Sequence, residues 1–130
     1  MLVASVNDAA VSALLDGSNC GVISTLREDG SIESAVVWIS LEGSELAVNS
    51  AVGRAWPTNL ERDPRVTLLV YDQANPYDYV EIRGVVDHID ADPEAKLYQR
   101  LSQWYKGEPE TPDDAPQRVA VAVRPTKFVG

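Results

Sequence analysis

The sequence contains one cysteine, Cys20, and one histidine, His88. A single cysteine excludes an internal disulfide and a cysteine-based metal cluster. A single histidine excludes metal sites built on a histidine pair and leaves little for a histidine-based triad. Apolar runs of about 18 residues are missing, and the N-terminus lacks the basic and apolar regions of a signal peptide. We therefore expect a soluble, cytoplasmic protein with no metal site.

Positive charge is also scarce, because 11 lysine and arginine residues stand against 20 acidic ones, for a formal net charge of -9. Nucleic acids and anionic membranes are bound through fields of lysine and arginine, so neither is an expected partner. The 130 residues, 45% of them hydrophobic, are enough for one core. This predicts a single globular domain over residues 1–130.

Short alternating segments dominate the chain. Asn7 or Asp8 predicts the start of a first helix, Gly17 predicts its end, and three apolar residues share one face: Val11, Leu14 and Leu15. Strands are predicted over residues 20–26, 31–41, 46–50, 66–70, 77–89 and 118–124. Six antiparallel strands tend to close into a small barrel, which removes unpaired edges. Such a barrel is filled by side chains, so a ligand would bind outside it or between subunits.

The strand predicted at 31–41 is apolar on both faces over residues 35–39. It is therefore either central or covered by a partner, which favours a homodimer. In the long strand at 77–89, Gly84 predicts a bulge or a close approach. His88 lies on the apolar side of that pattern and is interpreted as structural or surface rather than catalytic, and Cys20 as a buried small residue.

A second helix is predicted from Asp92-Pro93-Glu94 to Gly107. Its apolar stripe is interpreted as core rather than as a cofactor site, and consists of Leu97, Tyr98, Leu101, Trp104 and Tyr105. The acidic residues 108–114 lack regular calcium-ligand spacing and are interpreted as a solvated loop.

The most informative stretch is residues 48–70, where a strand ends at Asn49-Ser50 and Gly53 and Pro57 define a bend before a short helix at 56–62. Arg54, Arg62 and Arg65 gather there. A hydroxyl, helix-start amides and an arginine together can cradle an anionic ligand. The alternative is a strand–helix–strand connector with solvated arginines.

Two motifs carry a resemblance to a known family. The pattern N-S-x-x-x-R-x-x-x-x-N-L-x-R-D-P-R-V begins at Asn49, and D-x-x-N-P-Y-x-Y-V-E-I-R-G begins at Asp72. Together they resemble the split β-barrel family related to pyridoxamine 5'-phosphate oxidase, and within it the actinobacterial B group of deazaflavin- and flavin-dependent oxidoreductases. The resemblance implies a homodimer that binds coenzyme F-420 (8-hydroxy-5-deazaflavin), or FMN or FAD, in a groove at the subunit interface. It also implies hydride transfer to an unsaturated organic substrate, without a catalytic side chain, since the cofactor carries the chemistry.

The resemblance further implies roles for individual residues. The isoalloxazine ring would lie along Ser34, Ala35, Val36 and Val37. The phosphate would be held by Ser50, Arg54 and Asn59. Trp56 departs from the family pattern, and its ring is a candidate to stack on a ring or a sugar of the cofactor. Tyr79 and Glu81 would reach the site from the neighbouring subunit.

Three positions depart from the family pattern. Trp56 and Thr58 stand where members that bind coenzyme F-420 usually carry lysine and arginine, and Asp78 stands where they carry a base. Each lost cation weakens the attraction for a multiply charged cofactor, by roughly 1 kcal/mol per exposed contact. Binding of FMN or FAD, or a non-catalytic flavin- or tetrapyrrole-binding or storage role, therefore remains as an alternative.

Overall fold

A computed structural model describes residues 2–3, 9–19 and 21–130. The strands in this part of the chain are β1 (Leu2–Val3), β2 (Gly21–Leu26), β3 (Ile32–Val37), β4 (Ile39–Glu42), β5 (Glu45–Ala51), β6 (Arg65–Tyr71), β7 (Tyr79–Ala91) and β8 (Arg118–Val129). The helices are α1 (Ala9–Asp16), α2 (Ala55–Arg62) and α3 (Lys96–Lys106), and a short 3-10 turn covers Ala115–Gln117. The predicted caps Asn7 and Asp8, and Cys20, lie outside the described residues.

All strand pairs are antiparallel, and the sheet order is β3-β2-β6-β7-β8-β5-β4, with β1 paired to the end of β8. The two outermost strands, β3 and β4, are separated in sequence only by Trp38. One residue can join opposite edges of a sheet only if the sheet curls until the edges meet. The fold is therefore mainly β, an antiparallel split β-barrel with flanking helices, as predicted.

The expectation of six strands is wrong. Within the described residues, seven strands follow one another across the sheet, and the two-residue β1 pairs beside them. The predicted strand at 31–41 is two strands, β3 and β4, because the chain changes partner at Trp38: β3 pairs with β2, whereas β4 pairs with β5. The apolar run on both faces thus marks a crossing from one sheet edge to the other.

The core fills the inside of this curled sheet. Ile23, Leu46, Leu68 and Ile82 come from four different strands and are fully buried. Helix α1 contributes the predicted face of Val11, Leu14 and Leu15 to the same cluster. Among the described residues, no helix is both long enough and apolar enough to cross a membrane.

Local signals are confirmed where they depend on near neighbours. Helix α2 has Pro57 in its first turn and ends before Asp63-Pro64. Helix α3 begins later than predicted, at Lys96, but the Asp92 carboxylate still accepts hydrogen bonds from the amides of Lys96 and Leu97 at 3.0 and 2.9 Å.

The predicted irregularity occurs at Gly84: the register of β7 against β8 shifts between Arg83 and Gly84, and Thr126 of β8 is the extra residue of the bulge. A Cβ atom at Gly84 would lie 2.6 Å from the carbonyl oxygen of Arg124, so only glycine permits this approach. Strand β8 continues past the predicted end at Arg124, with Pro125 paired opposite Gly84. A bulge tolerates proline in a sheet because one ladder hydrogen bond is already missing there.

Candidate functional site

A groove of about 340 Å³ lies beside the point where β3 gives way to β4. It is bordered by the end of β5, the start of α2, helix α3 and the first residue of β8. We call it the Arg54 groove; it is lined by Val36, Val37, Trp38, Asn49, Ser50, Arg54, Trp56, Tyr98 and Arg118. Five predicted site residues therefore meet there: Val36, Val37, Ser50, Arg54 and Trp56.

One end of the Arg54 groove offers hydrogen-bond donors. The Ser50 side chain is buried at the base of the groove, where it contributes a hydroxyl to the lining. The Arg54 side chain is 58% exposed, and its Nη2 lies 3.7 Å from Oδ2 of Asp114. An exposed guanidinium beside a hydroxyl can bind an anion.

The start of α2 adds backbone donors. Gly53 has a φ of +87° and turns the chain into the helix, and the amide of Arg54 is already used by the carbonyl of Ala51. The next two amides, of Ala55 and Trp56, have no intrahelical acceptor because they lie in the first turn, and Arg54 makes no side-chain cap. Two amides at the positive end of a helix dipole favour a negative ligand.

Arg118 forms part of the wall of the groove and is held from three sides. Its Nε donates to Oδ1 of Asp114 at 2.8 Å, its Nη1 donates to Oδ1 of Asn49 at 3.1 Å, and its guanidinium lies 4.8 Å from the centre of the Tyr98 ring. Because only 10% of this side chain is exposed, Arg118 is a fixed positive charge, in contrast to Arg54. Asp114 contacts both arginines and partly neutralises them.

Aromatic side chains border the groove near Trp38. The Trp38 ring stacks on Tyr105, with centroids 5.3 Å apart and planes at 13°, and is tilted against Tyr98 at 5.7 Å. Nζ of Lys106 lies 5.5 Å from the centre of the Trp38 ring. Tyr98 and Tyr105 were assigned to the core from their helical spacing, but they support Trp38, and Tyr98 also lines the groove.

Ser34, Ala35 and Asn59 are not among the residues that line the Arg54 groove. The Ser34 hydroxyl is hydrogen bonded to that of Ser24 at 2.9 Å, and Ala35 packs against the core. The amide of Asn59 is buried and donates to Oγ1 of Thr25 and Oε1 of Glu33, both at 3.0 Å. These bonds tie α2 to β2 and β3.

Tyr79 and Glu81 lie on β7 and do not line the Arg54 groove of their own chain. Tyr79 is 46% exposed and borders a small apolar groove with Leu69, Tyr71 and Pro76. The Glu81 carboxylate accepts a hydrogen bond from Nε of Arg83 at 2.5 Å. Their predicted role depends on a second subunit.

The three arginines near the short helix do not act together. Arg62 donates to the carbonyl of Leu26 and to Asn59, at 2.5 and 3.5 Å. The Arg65 guanidinium donates two hydrogen bonds, of 3.0 and 2.7 Å, to the Asp63 carboxylate. These bonds lower the pKa of Asp63 from 3.8 to about 2. Of the three, only Arg54 reaches the groove.

Sequence reasoning missed Trp38, Asn49, Tyr98 and Arg118 as residues of the site. Trp38 directly follows Val37 and Asn49 directly precedes Ser50, so both could have been predicted as site residues from their position in the sequence. Arg118 and Tyr98 are distant in sequence. The pairing of β8 with β5 sets Arg118 opposite Ala51, and helix α3 brings the Tyr98 ring to the Arg118 guanidinium.

Comparison with known proteins identifies the family of this chain. The family profile described as Pyridoxamine 5'-phosphate oxidase matches residues 8–129. The chain belongs to this pyridoxamine 5'-phosphate oxidase family. The relationship agrees with the split-barrel fold and, at the level of the family, supports an oxidoreductase or a flavin- or F420-binding protein.

Several solved structures share this fold. An F420 reductase is 34% identical, covers 91% of this chain and 94% of its own, and superposes with a TM-score of 0.85. Conserved hypothetical protein Rv2991 from Mycobacterium tuberculosis is 26% identical, with coverages of 98% and 84% and a TM-score of 0.76. General Stress Protein 26 from Bacillus anthracis, at 24% identity, coverages of 92% and 88% and a TM-score of 0.69, shows the fold alone. No curated protein matches the chain.

Proposed function

We propose that this protein is an oxidoreductase that binds coenzyme F-420 in the Arg54 groove and transfers a hydride between it and an unsaturated organic substrate. The observation that carries the proposal is the meeting of Ser50, Arg54 and the first amides of α2 at one end of a groove with aromatic walls. The 34% identity to an F420 reductase supports the choice of cofactor.

Phosphate binding is assigned to the donor end of the groove. A phosphodiester needs several donors and positive charge, and Ser50, Arg54 and the amides of Ala55 and Trp56 supply both. Arg118 adds a second positive charge that does not have to be ordered on binding, because it is already fixed by Asp114 and Asn49. The residues present therefore fit an anionic cofactor.

Ring binding is assigned to the other walls of the groove. We propose that backbone groups of residues 34–37 contact the edge of the isoalloxazine or deazaflavin ring, with Val36 and Val37 nearest. Trp56 lines the groove where the family pattern has lysine, but it is 7% exposed and packs in the core, so little of its ring is available for stacking. Trp38, stacked on Tyr105, is another aromatic side chain available to contact the ring.

The chemistry supplied by the bound cofactor would be hydride transfer. The residues of this chain bind and orient the cofactor, and the aromatic walls exclude water from one side of it. No side chain of the groove is needed as a nucleophile.

The site is proposed to be completed by a second copy of the chain. On the edge strand β3, Ile32 and Val36 are 67% and 73% exposed, which is unusual for branched apolar side chains unless something covers them. We propose that in such a homodimer Tyr79 and Glu81 contact the cofactor of the partner, as the family resemblance implies. Size-exclusion chromatography with light scattering tests this point.

The test of cofactor binding is a parallel titration with coenzyme F-420, FMN and FAD, followed by quenching of tryptophan fluorescence. Arg54→Ala is expected to weaken binding at least tenfold, about 1.4 kcal/mol. Arg100→Ala is a matched control, since Arg100 is 57% exposed and paired with Glu42, as Arg54 is 58% exposed and paired with Asp114. The proposal fails if none of the three cofactors binds at tens of micromolar.

A flavin-binding protein, or a non-catalytic flavin- or tetrapyrrole-binding module, is the second candidate. It is favoured by the ion pair between Asp114 and Arg54, which lowers the positive charge available to a multiply charged cofactor. The same titration separates the candidates by cofactor preference. Turnover of reduced cofactor in the presence of unsaturated carbonyl compounds then separates an oxidoreductase from a binding module.

A further inference from the structure

A second groove, of about 340 Å³, lies over strand β8 between β5 and β7. Glu45 on β5 and His88 on β7 line it, Asp87 lies next to His88, and one ligating atom from each of the three lies within 4.8 Å of the others. Nε2 of His88 is 4.0 Å from Oε1 of Glu45 and 3.9 Å from Oδ2 of Asp87. These are metal-ligating groups with no role in the proposed cofactor site.

The convergence depends on an irregularity in β7. Successive residues of a regular strand point to opposite faces of the sheet, so Asp87 and His88 would be separated. The register of β7 against β8 shifts between Val86 and His88, which leaves Asp87 as the extra residue of a bulge. Bulges re-aim side chains at functional sites, and this one allows two adjacent residues to approach Glu45.

The same bulge corrects an expectation from the sequence. The alternation predicts His88 on the apolar side of its strand, but its side chain is 52% exposed, which agrees with the interpretation of a surface histidine. It lies opposite Ala122, and Ala122 lies opposite Ala47 on β5. These two alanines leave room for longer side chains to meet above β8.

Asp90 orients the imidazole. Its Oδ2 lies 2.7 Å from Nδ1 of His88, which favours the tautomer with a proton on Nδ1. That tautomer leaves the lone pair of Nε2 directed to the side where Glu45 and Asp87 lie. A carboxylate that holds the outer ring nitrogen is the usual second contact of a histidine that binds metal.

Two carboxylates, of Glu45 and Asp87, approach each other in this cluster. Lys96 and Arg100 line the same groove and offset part of their negative charge. A cation bound between the two carboxylates would relieve their mutual repulsion.

We propose that Glu45, Asp87 and Nε2 of His88 form a binding site for a divalent transition-metal ion of the Zn²⁺ type. Two carboxylates and a neutral imidazole balance its charge and match the ligands that Zn²⁺ accepts. In a tetrahedral zinc site with bonds of about 2.0 to 2.1 Å, ligand atoms lie about 3.3 Å apart. The observed separations of 3.9 and 4.0 Å therefore require the half-exposed side chains to close by less than 1 Å.

The experiment uses the full-length, tag-free protein after treatment with chelator, without any cofactor. Because His88 is the sole histidine, its ring protons are individually observable by NMR. We expect Zn²⁺ to shift them saturably with a stoichiometry of one ion per chain, and Mg²⁺ at the same concentration to leave them unchanged. Failure to shift these signals at about 1 mM Zn²⁺ would overturn the proposal, as would an equal response to Mg²⁺, which would indicate only an acidic surface.

Variants identify the other ligands. Glu45→Gln is expected to weaken Zn²⁺ binding at least tenfold, because one of three ligands is lost. Glu61→Gln is the control, since it removes the same charge from an exposed position on α2. Equal Zn²⁺ affinities of the two variants would refute the site. Should Glu45→Gln fail to fold, the comparison of Zn²⁺ with Mg²⁺ on the unaltered protein still tests whether the site exists. Neither result depends on whether the Arg54 groove binds a cofactor.

Discussion

Asp114 offers a test of the proposed cofactor site in which removing a side-chain charge should strengthen binding. Its carboxylate contacts Arg118 at 2.8 Å and Arg54 at 3.7 Å, so it competes with any anionic ligand for both arginines. In Asp114→Asn the amide oxygen can still accept the hydrogen bond from Arg118. The negative charge, however, is gone.

The size of the effect follows from the exposure of the groups. A phosphate bound to Arg54 would lie about 5 Å from the Asp114 carboxylate, where two unit charges repel by about 0.8 kcal/mol in water and about 3 kcal/mol at an effective dielectric constant of 20. The Arg54 and Asp114 side chains are 58% and 35% exposed, so the lower value applies. Asp114→Asn is therefore expected to bind coenzyme F-420 about fourfold more tightly.

The assay is the fluorescence titration at two salt concentrations. The gain should shrink between 0.1 M and 1 M salt, because the Debye length falls from about 10 Å to about 3 Å. Asp113→Asn is the control, since Asp113 carries the same charge in the same loop but is exposed and contacts neither arginine among the described residues. Unchanged or weaker binding of coenzyme F-420 by Asp114→Asn would refute the proposed competition for Arg54 and Arg118. An equal gain in affinity in Asp113→Asn would show that the tighter binding comes from the change in net charge alone.

Two further predictions concern stability and are checked by thermal and denaturant unfolding. Gly84→Ala places a Cβ atom 2.6 Å from the Arg124 carbonyl oxygen and should lower the free energy of unfolding by about 1 to 3 kcal/mol; an unchanged midpoint would mean that β7 and β8 separate freely there. Asn59→Ala removes the hydrogen bonds to Thr25 and Glu33 and should cost about 1 to 3 kcal/mol while leaving cofactor affinity within about twofold. A tenfold loss of affinity in Asn59→Ala would instead support the phosphate contact implied by the family resemblance.

Features set by near neighbours were predictable from the sequence. The buried face of α1, the position of Pro57 in α2 and the end of α3 at Gly107 each depend on residues a few positions apart. Side-chain period, capping and backbone freedom act at that range. The family motifs around Asn49 and Asn75 likewise pointed to the fold class and to a site at Ser50 and Arg54.

Tertiary structure alone decided which of these residues meet. The curl of the sheet breaks the strand at Trp38, and the pairing of β5 with β8 sets Arg118 beside Asn49. The same pairings bring Glu45 within reach of His88, more than 40 positions away. The alternation of side chains within a strand shows which residues share a face, but which strands pair and where the barrel closes depend on packing between distant segments.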